Sequence, residues 1–299
     1  MELTDLMFLN QTRDQGWDKE KMTEVMNSVF STEKAEEKET VLEVGCGNGR
    51  ITRFFAQKNP SKTFCGVDID SDLLRDAKRK AKEDKSTNVS FRVKNIQKKQ
   101  EAIYDVVYTH YTLVDTKEPI SLLRDAYNMV KKDGILCSVE PLYQCDCNNV
   151  YIPGLDNDDK DIMSKLLKKI LISIPESKGI DRLVGMKLPA EFKKLGLKDI
   201  SIKIVSAFDY GKEYDNERKK AIIKASEYVI NNGRRYSDSL KISKLWREFS
   251  DEELDQYYRL QSKIAQYILR NPESYFEEGN FTYGNEIVIK GKKSAEENL

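Results

Sequence analysis

The chain has 299 residues, enough for one large domain or two small ones with a core that takes roughly 75% of the unfolded surface out of water. Hydrophobic residues make up 39% and charged residues 33%, and 50 basic side chains balance 50 acidic ones. That zero formal charge argues against a dedicated nucleic-acid binder, which needs a basic excess to meet phosphate, and no stretch reaches the ~18 apolar residues of a membrane span.

Residues 1–10 carry Glu2 and Asp5 and only a short apolar run, so they have neither the basic start nor the apolar length of a secretory signal. The first helical pattern follows at residues 19–30, where Met22, Val25, Met26, Val29 and Phe30 fall on one stripe. Charged residues 31–39 break it. From residue 40 short apolar runs at 41–44, 63–67, 89–93, 104–108 and 135–139 alternate with helical stretches at 51–58, 73–83 and 120–130. Strand and helix repeated in this way predict a parallel sheet covered on both faces, an α/β doubly wound architecture. A helix at 189–195, a strand at 198–205 and a last strand at 285–290 resume the pattern.

Two long stretches interrupt it, 142–186 and 207–280. The first holds a helix with Ile162, Met163, Leu166, Leu167, Ile170 and Leu171 on one side. The second holds helices at 216–232, stopped by Gly233, and at 251–269, announced by Ser250 with Glu253 at capping-box spacing. Each leaves the sheet after a strand, so both are expected to start at the carboxyl edge, where ligands of open α/β sheets bind, and to roof the ligand site as helical lids. The expected division is an N-terminal helical segment at 1–37, a core of 38–206 and 281–292 interrupted by the lids 142–186 and 207–280, and a polar tail at 293–299. The five cysteines, Cys46, Cys65, Cys137, Cys145 and Cys147, lack the paired spacing of a disulfide framework or zinc site, and the one histidine, His110, is far from the Cys145–Cys147 pair. A reducing, cytoplasmic setting and no metal are the expectation.

Chemistry concentrates in residues 41–50, a buried strand that runs through Glu43 into Gly45, Cys46, Gly47, Asn48 and Gly49 and then a helix. Alternate glycines let backbone approach a ligand closely and take torsions barred to other residues. A dinucleotide fingerprint would want glycine where Arg50 stands. A second strand ends at Asp68, where a carboxylate can accept both hydroxyl protons of a ribose, and Ile69 and Asp70 follow it. Asp70 reads as the cap of the next helix.

The acid followed by glycine at every second position, the ordered second, third and fourth segments and the closing Lys131, Lys132, Asp133, Gly134 resemble the class I S-adenosylmethionine-dependent methyltransferases. The resemblance covers about residues 38–141, and more loosely 185–200 and the terminal strand, where it is similar to the ubiquinone-biosynthesis-like small-molecule group. It implies a mostly parallel seven-stranded Rossmann-like sheet and S-adenosyl-L-methionine as cofactor. The cofactor contacts it implies are Glu43, Gly45, Cys46, Gly47, Gly49, Asp68 at the ribose, Ile69 beside the adenine, Asn95 and Ile96 at the third strand, and Thr109 and His110 beside the methionine part. Asn95 stands where the family usually has an acid, and its amide oxygen can accept the same bond.

On this reading the chain methylates O, N, S or C of a small molecule by in-line transfer. Its partner is a small-molecule methyl acceptor, with no membrane involved. A catalytically silent S-adenosylmethionine-binding module, or an RNA or protein methyltransferase, are the alternatives. Candidates for a general base are His110, the one side chain titrating near pH 6.5, with Tyr111 and Glu140 as rivals.

Overall fold

The computed structural model describes residues 19–30, 39–96, 101–143, 150–152, 154–210, 216–233, 246–279 and 281–294. Cys145 and Cys147 lie outside them. The chain divides into two compact units. One comprises Glu20–Leu142, Gly179–Val205 and Glu286–Leu299, and the other Met1–Lys19, Tyr143–Lys178 and Ser206–Asn285.

The first unit is built on a sheet whose strands are β1 (Thr40–Val44), β2 (Thr63–Asp68), β3 (Val89–Val93), β4 (Tyr104–His110), β5 (Val130–Pro141), β7 (Lys198–Tyr210) and β8 (Phe281–Lys292). Its order is β3-β2-β1-β4-β5-β8, with β7 paired to β8. The first five strands are parallel, with Val44 opposite Val67 and Thr109, Asp68 opposite Val93, and His110 opposite Val139. Strands buried on both faces need apolar side chains in both directions. Accordingly Val41, Leu42, Val44, Val106, Val107, Leu136 and Val139 are all buried.

Because these strands share a direction, their carboxyl ends gather at one edge, where the reversal of strand order between β1 and β4 opens a crevice. β8 runs antiparallel to β5, with Glu286 opposite Pro141 and Ile289 opposite Ser138. The start of β8 in this unit therefore lies at the same edge as the ends of β1 and β4.

Helices cover the sheet: α1 (Lys19–Val29), α2 (Arg50–Lys58), α3 (Ser71–Glu83), α4 (Pro119–Asn128) and α6 (Val184–Lys194). Met22, Val25, Met26 and Val29 of α1 are buried, and Phe30 just after it packs edge-on against Phe55 and Phe64. Residues 20–30 thus belong to the same compact unit as the sheet. Asp70 caps α3 by accepting the Asp72 and Leu73 N–H groups at 2.8 and 3.1 Å, and Pro119 opens α4. The pattern predicted a helix beginning at Pro189, but α6 begins at Val184 and carries Pro189 inside it. Gly185, the residue whose carbonyl Pro189 cannot bond, lies so close to the Pro141 carbonyl that an added Cβ would come within 2.9 Å of it.

The second unit is helical. α5 (Asn157–Lys168) continues through a wider π turn at Lys169–Ser173 into Ile174–Ser177, and α7 (Asn216–Asn232) packs on α8 (Asp251–Arg270). Gly233 ends α7 with φ 50°. Capping boxes start both α5, from Asp156 and Asp159, and α8, from Ser250 and Glu253. Met163, Leu166, Val229, Leu260, Ile264 and Ile268 form its core. Two residues of β6 (Val150–Tyr151) pair with Thr282 and Phe281 of β8.

Two glycines of the loop after β1 differ in what surrounds them. At Gly49, φ 70°, an added Cβ would lie 2.5 Å from the Phe91 ring and 2.9 Å from Ala77; at Gly47, φ 53°, it would meet nothing within 4 Å. Gly49→Ala is therefore expected to lose about 2–4 kcal/mol of stability, combining left-handed strain with overpacking, whereas Gly47→Ala loses about 1 kcal/mol from strain alone. Urea midpoints of the two variants check this, and equal losses would show that the Gly49 contact relaxes freely.

Candidate active site

The loop after β1 takes left-handed torsions at Gly45, Gly47 and Gly49. It is fixed at both ends. The Gly45 and Cys46 N–H groups donate to the Val67 carbonyl at 2.8 and 3.0 Å, and the Gly47 N–H donates to Asp68 Oδ2 at 2.8 Å. Asp68 Oδ1 accepts the Asp70 N–H at 3.0 Å. The half-buried carboxylate thus has one bond to each oxygen and keeps further lone pairs for a ligand. Beside it Ile69 is 75% exposed, a large apolar side chain left open at a strand end. Asn95 is exposed and Ile96 buried just past β3.

Three residues with expected cofactor contacts face inward instead. Glu43 is buried, accepting Tyr108 Oη at 2.8 Å and the Thr52 hydroxyl, so it ties β1 to β4 and α2 rather than reaching the crevice. Burial raises its carboxyl to about 7 against the lowering effect of those two bonds. The Cys46 thiol packs in a cluster with Leu74, Ala77, Ala81 and Phe91, where burial pushes its pKa far up. Thr109 is fully buried and shares a 2.7 Å hydrogen bond with Ser138.

The other wall is the end of β4. Thr112 stands against Gly45, where any Cβ would collide with it, and its hydroxyl donates to the Val44 carbonyl at 3.0 Å. Tyr111 has φ 54°, a left-handed torsion costly for an aromatic residue, held by its N–H donating to the Val139 carbonyl at 2.9 Å. That turn stacks its ring on His110, with centroids 4.8 Å apart and planes 13° from parallel. Glu140, fully buried, accepts the Thr112, Leu113 and Val114 N–H groups at 3.3, 3.0 and 3.3 Å. Both its oxygens are spent shaping the chain after His110, and burial nevertheless raises it to about 8.

Two residues at this edge escaped the sequence reading. Glu286, buried at the start of the core part of β8, is met by the Tyr111 hydroxyl and by the Lys21 ammonium of α1. The available signal was weak: an acid at the head of the apolar run Ile287, Val288, Ile289. His110, Tyr111, Glu286 and Lys21 form one cluster.

A family model described as a methyltransferase domain matches residues 35–171. An uncharacterised methyltransferase of Schizosaccharomyces pombe is 31% identical over 121 residues, covering 38% of this chain and 44% of that protein. A malonyl-[acyl-carrier protein] O-methyltransferase of Priestia megaterium is 25% identical over 96 residues, covering 32% of this chain and 34% of that one. The chain spans less than half the length of these curated relatives. The solved YcgJ protein of Bacillus subtilis shares the fold, with TM-score 0.52 at 14% identity over 93% of this chain and 100% of its own. The strand order and the glycine loop define a Rossmann-like α/β domain. More particularly, residues 35–171 are similar to a methyltransferase domain.

The His110 ring is half-buried with its Nε2 enclosed, and burial pushes its pKa down to about 4, Lys21 and Arg50 acting the same way and Glu286 opposing them. A depressed histidine favours the neutral form, so its stabilising contribution is present above the ordinary 6.5 and is lost as pH falls towards 4. As the chain has one histidine, a single imidazole proton resonance reports it. It is expected to titrate near pH 4; a midpoint at 6.5 would place the ring in solvent.

Proposed function

We propose that this chain is an S-adenosylmethionine-dependent methyltransferase acting on a small molecule. The observation that carries the reading is the convergence, at one sheet edge, of a glycine loop with open space at Gly47, the half-buried Asp68 carboxylate and the exposed Ile69. A Cβ at Gly47 would fill a cradle that nothing in the protein fills. The zero net charge supports a small acceptor over a nucleic acid. One relative is named for methylating an oxygen, which supports oxygen among the possible acceptor atoms.

In this reading Asp68 receives the ribose hydroxyls, Ile69 and Ile96 flank the adenine, Asn95 offers its amide to the ring edge, and the backbone of Gly45, Gly47 and Gly49 gives the close approach. His110 stands beside the methionine part. S-adenosylmethionine brings a methyl group already activated on a positive sulfur, so the chain's task is to align the attacking atom with it and exclude water. A histidine held near 4 takes a proton poorly at pH 7, and Glu140 has both oxygens committed to backbone N–H groups. His110 therefore serves as a wall and hydrogen-bonding group, Glu140 positions residues 112–114, and Tyr111 faces the acceptor.

Calorimetry is expected to give saturable binding of S-adenosylmethionine and its demethylated product. Asp68→Ala weakens it by about 1.5–3 kcal/mol, the range for hydrogen bonds to a charged group. Gly47→Val abolishes it while the far-ultraviolet spectrum and cooperative melting persist. Undiminished binding in both variants, or no heat with the wild type, overturns the reading.

A further inference from the structure

Resting on the methyltransferase reading, we infer that Glu286, held by Lys21 and Tyr111 beside His110, is the acceptor-binding carboxylate of the site, and that the acceptor it takes presents a hydroxyl group. Glu286 is 2% exposed. The Tyr111 hydroxyl donates to its Oε1 and the Lys21 ammonium pairs with the same oxygen, while Oε2 is buried with no hydrogen-bond partner among the described residues. His110 Nε2 is likewise buried with no hydrogen-bond partner among the described residues. Its ring stacks on Tyr111 and feels the charge of Glu286, so the two vacant polar atoms belong to one cluster. Buried carboxylate oxygens are almost always satisfied, and one that the protein leaves unpaired calls for a donor from a ligand or ordered water. The antiparallel register of β8 sets this oxygen at the carboxyl edge of the sheet, opposite Pro141, where the cofactor loop and the end of β4 also lie.

The surrounding charges select among acceptors. Lys21 already places an ammonium on Glu286 Oε1, which disfavours a second cation, such as a protonated amine, at that carboxylate. A carboxylate acceptor carries no proton and meets the like charge of Glu286. A hydroxyl satisfies the cluster, because it donates to Oε2 and its oxygen becomes more negative as the proton leaves, near the Lys21 ammonium. In the transfer the acceptor O–H bond breaks and its proton passes to Glu286 Oε2. The oxygen pair forms the new bond to the methyl carbon, while the carbon–sulfur bond breaks and its pair stays on sulfur. Glu286 ends protonated and returns the proton to water on product release. Lys21 is a positioning residue that fixes Oε1 and so leaves Oε2 for the acceptor.

Phenol and the matched set benzyl alcohol, benzylamine and benzoate test this on the full chain. Binding is read by saturation-transfer NMR with and without the demethylated cofactor, and turnover by formation of that product. Phenol and benzyl alcohol are expected to bind, and Glu286→Gln to weaken them at least tenfold. The same variant lowers turnover of phenol by ~10²-fold, the span of a lost proton acceptor, with cofactor affinity within twofold of wild type. Lys21→Met raises KM for phenol more than it lowers kcat, and Lys21→Arg restores both. If Glu286→Gln does not fold, Tyr111→Phe, which keeps the ring stack, is expected to weaken the hydroxyl probes several-fold. Preference for benzylamine or benzoate, a wild type that binds cofactor but neither hydroxyl probe, or a Glu286→Gln chain indistinguishable from wild type overturns the proposal. A chain that binds no cofactor overturns the methyltransferase reading instead, and the probe-binding arm still decides the role of Glu286.

Discussion

Two hydroxyl groups, from Thr52 on α2 and Tyr108 on β4, converge on the buried carboxylate of Glu43 on β1, and the loop between β1 and α2 is stretched across that joint. Burying a carboxylate is costly unless its oxygens are hydrogen-bonded, and here both donors come from the elements that flank the glycine loop. Losing either would remove one of the two hydroxyl donors to a carboxyl group buried in the sheet. The loop can therefore take left-handed torsions at three alternate residues, since its ends are tied to β4 and α2 through Glu43 and to β2 through the Val67 carbonyl and Asp68. Without that joint, neither the open space at Gly47 nor the position of Asp68 would be defined.

Carboxylates recur at the strand ends of this edge, and their partners separate their tasks. Glu43 accepts from side-chain hydroxyls, which locks elements together. Glu140 accepts three successive backbone N–H groups, which shapes residues 112–114 and through them the approach of Thr112 to Gly45. Asp68 accepts one backbone N–H on each oxygen and stays half-open. Glu286 uses one oxygen for a tyrosine and a lysine and leaves the other unpaired. The number of bonds still available rises from the first two to the last two, and with it the capacity to meet a ligand.

Local features were legible from the chain alone. The glycine spacing, the acid that ends β2, the cap at Asp70 and the box at Ser250 all depend on residues within a turn or two of one another, and local sequence determines them. Side-chain direction at the motif was not legible in the same way. Glu43, Cys46 and Thr109 share the glycine loop's neighbourhood in sequence, yet which face each presents depends on what packs behind the strand. For Cys46 that is α3 and Phe91, and for Thr109 it is Ser138 on β5. Pro189 within α6 shows the same limit, since close packing of Gly185 on the end of β5 extends the helix past a residue that usually begins one.

Sequence by itself determined the alternation of strand and helix, the phase of each apolar stripe and the residues of the cofactor loop, because burial and torsion preference act over a few residues. Only the tertiary structure decided that Lys21, Tyr111 and Glu286 meet. Tyr111 and Glu286 are 175 positions apart, one just past the end of β4 and the other on β8, strands that do not pair with each other. Their meeting follows from the antiparallel register of β8 on β5 and from the left-handed turn at Tyr111, which sends its hydroxyl across the end of β5. No local pattern records a register between distant strands, since it is fixed by the fit of whole strands against one another and not by the residues that end up touching.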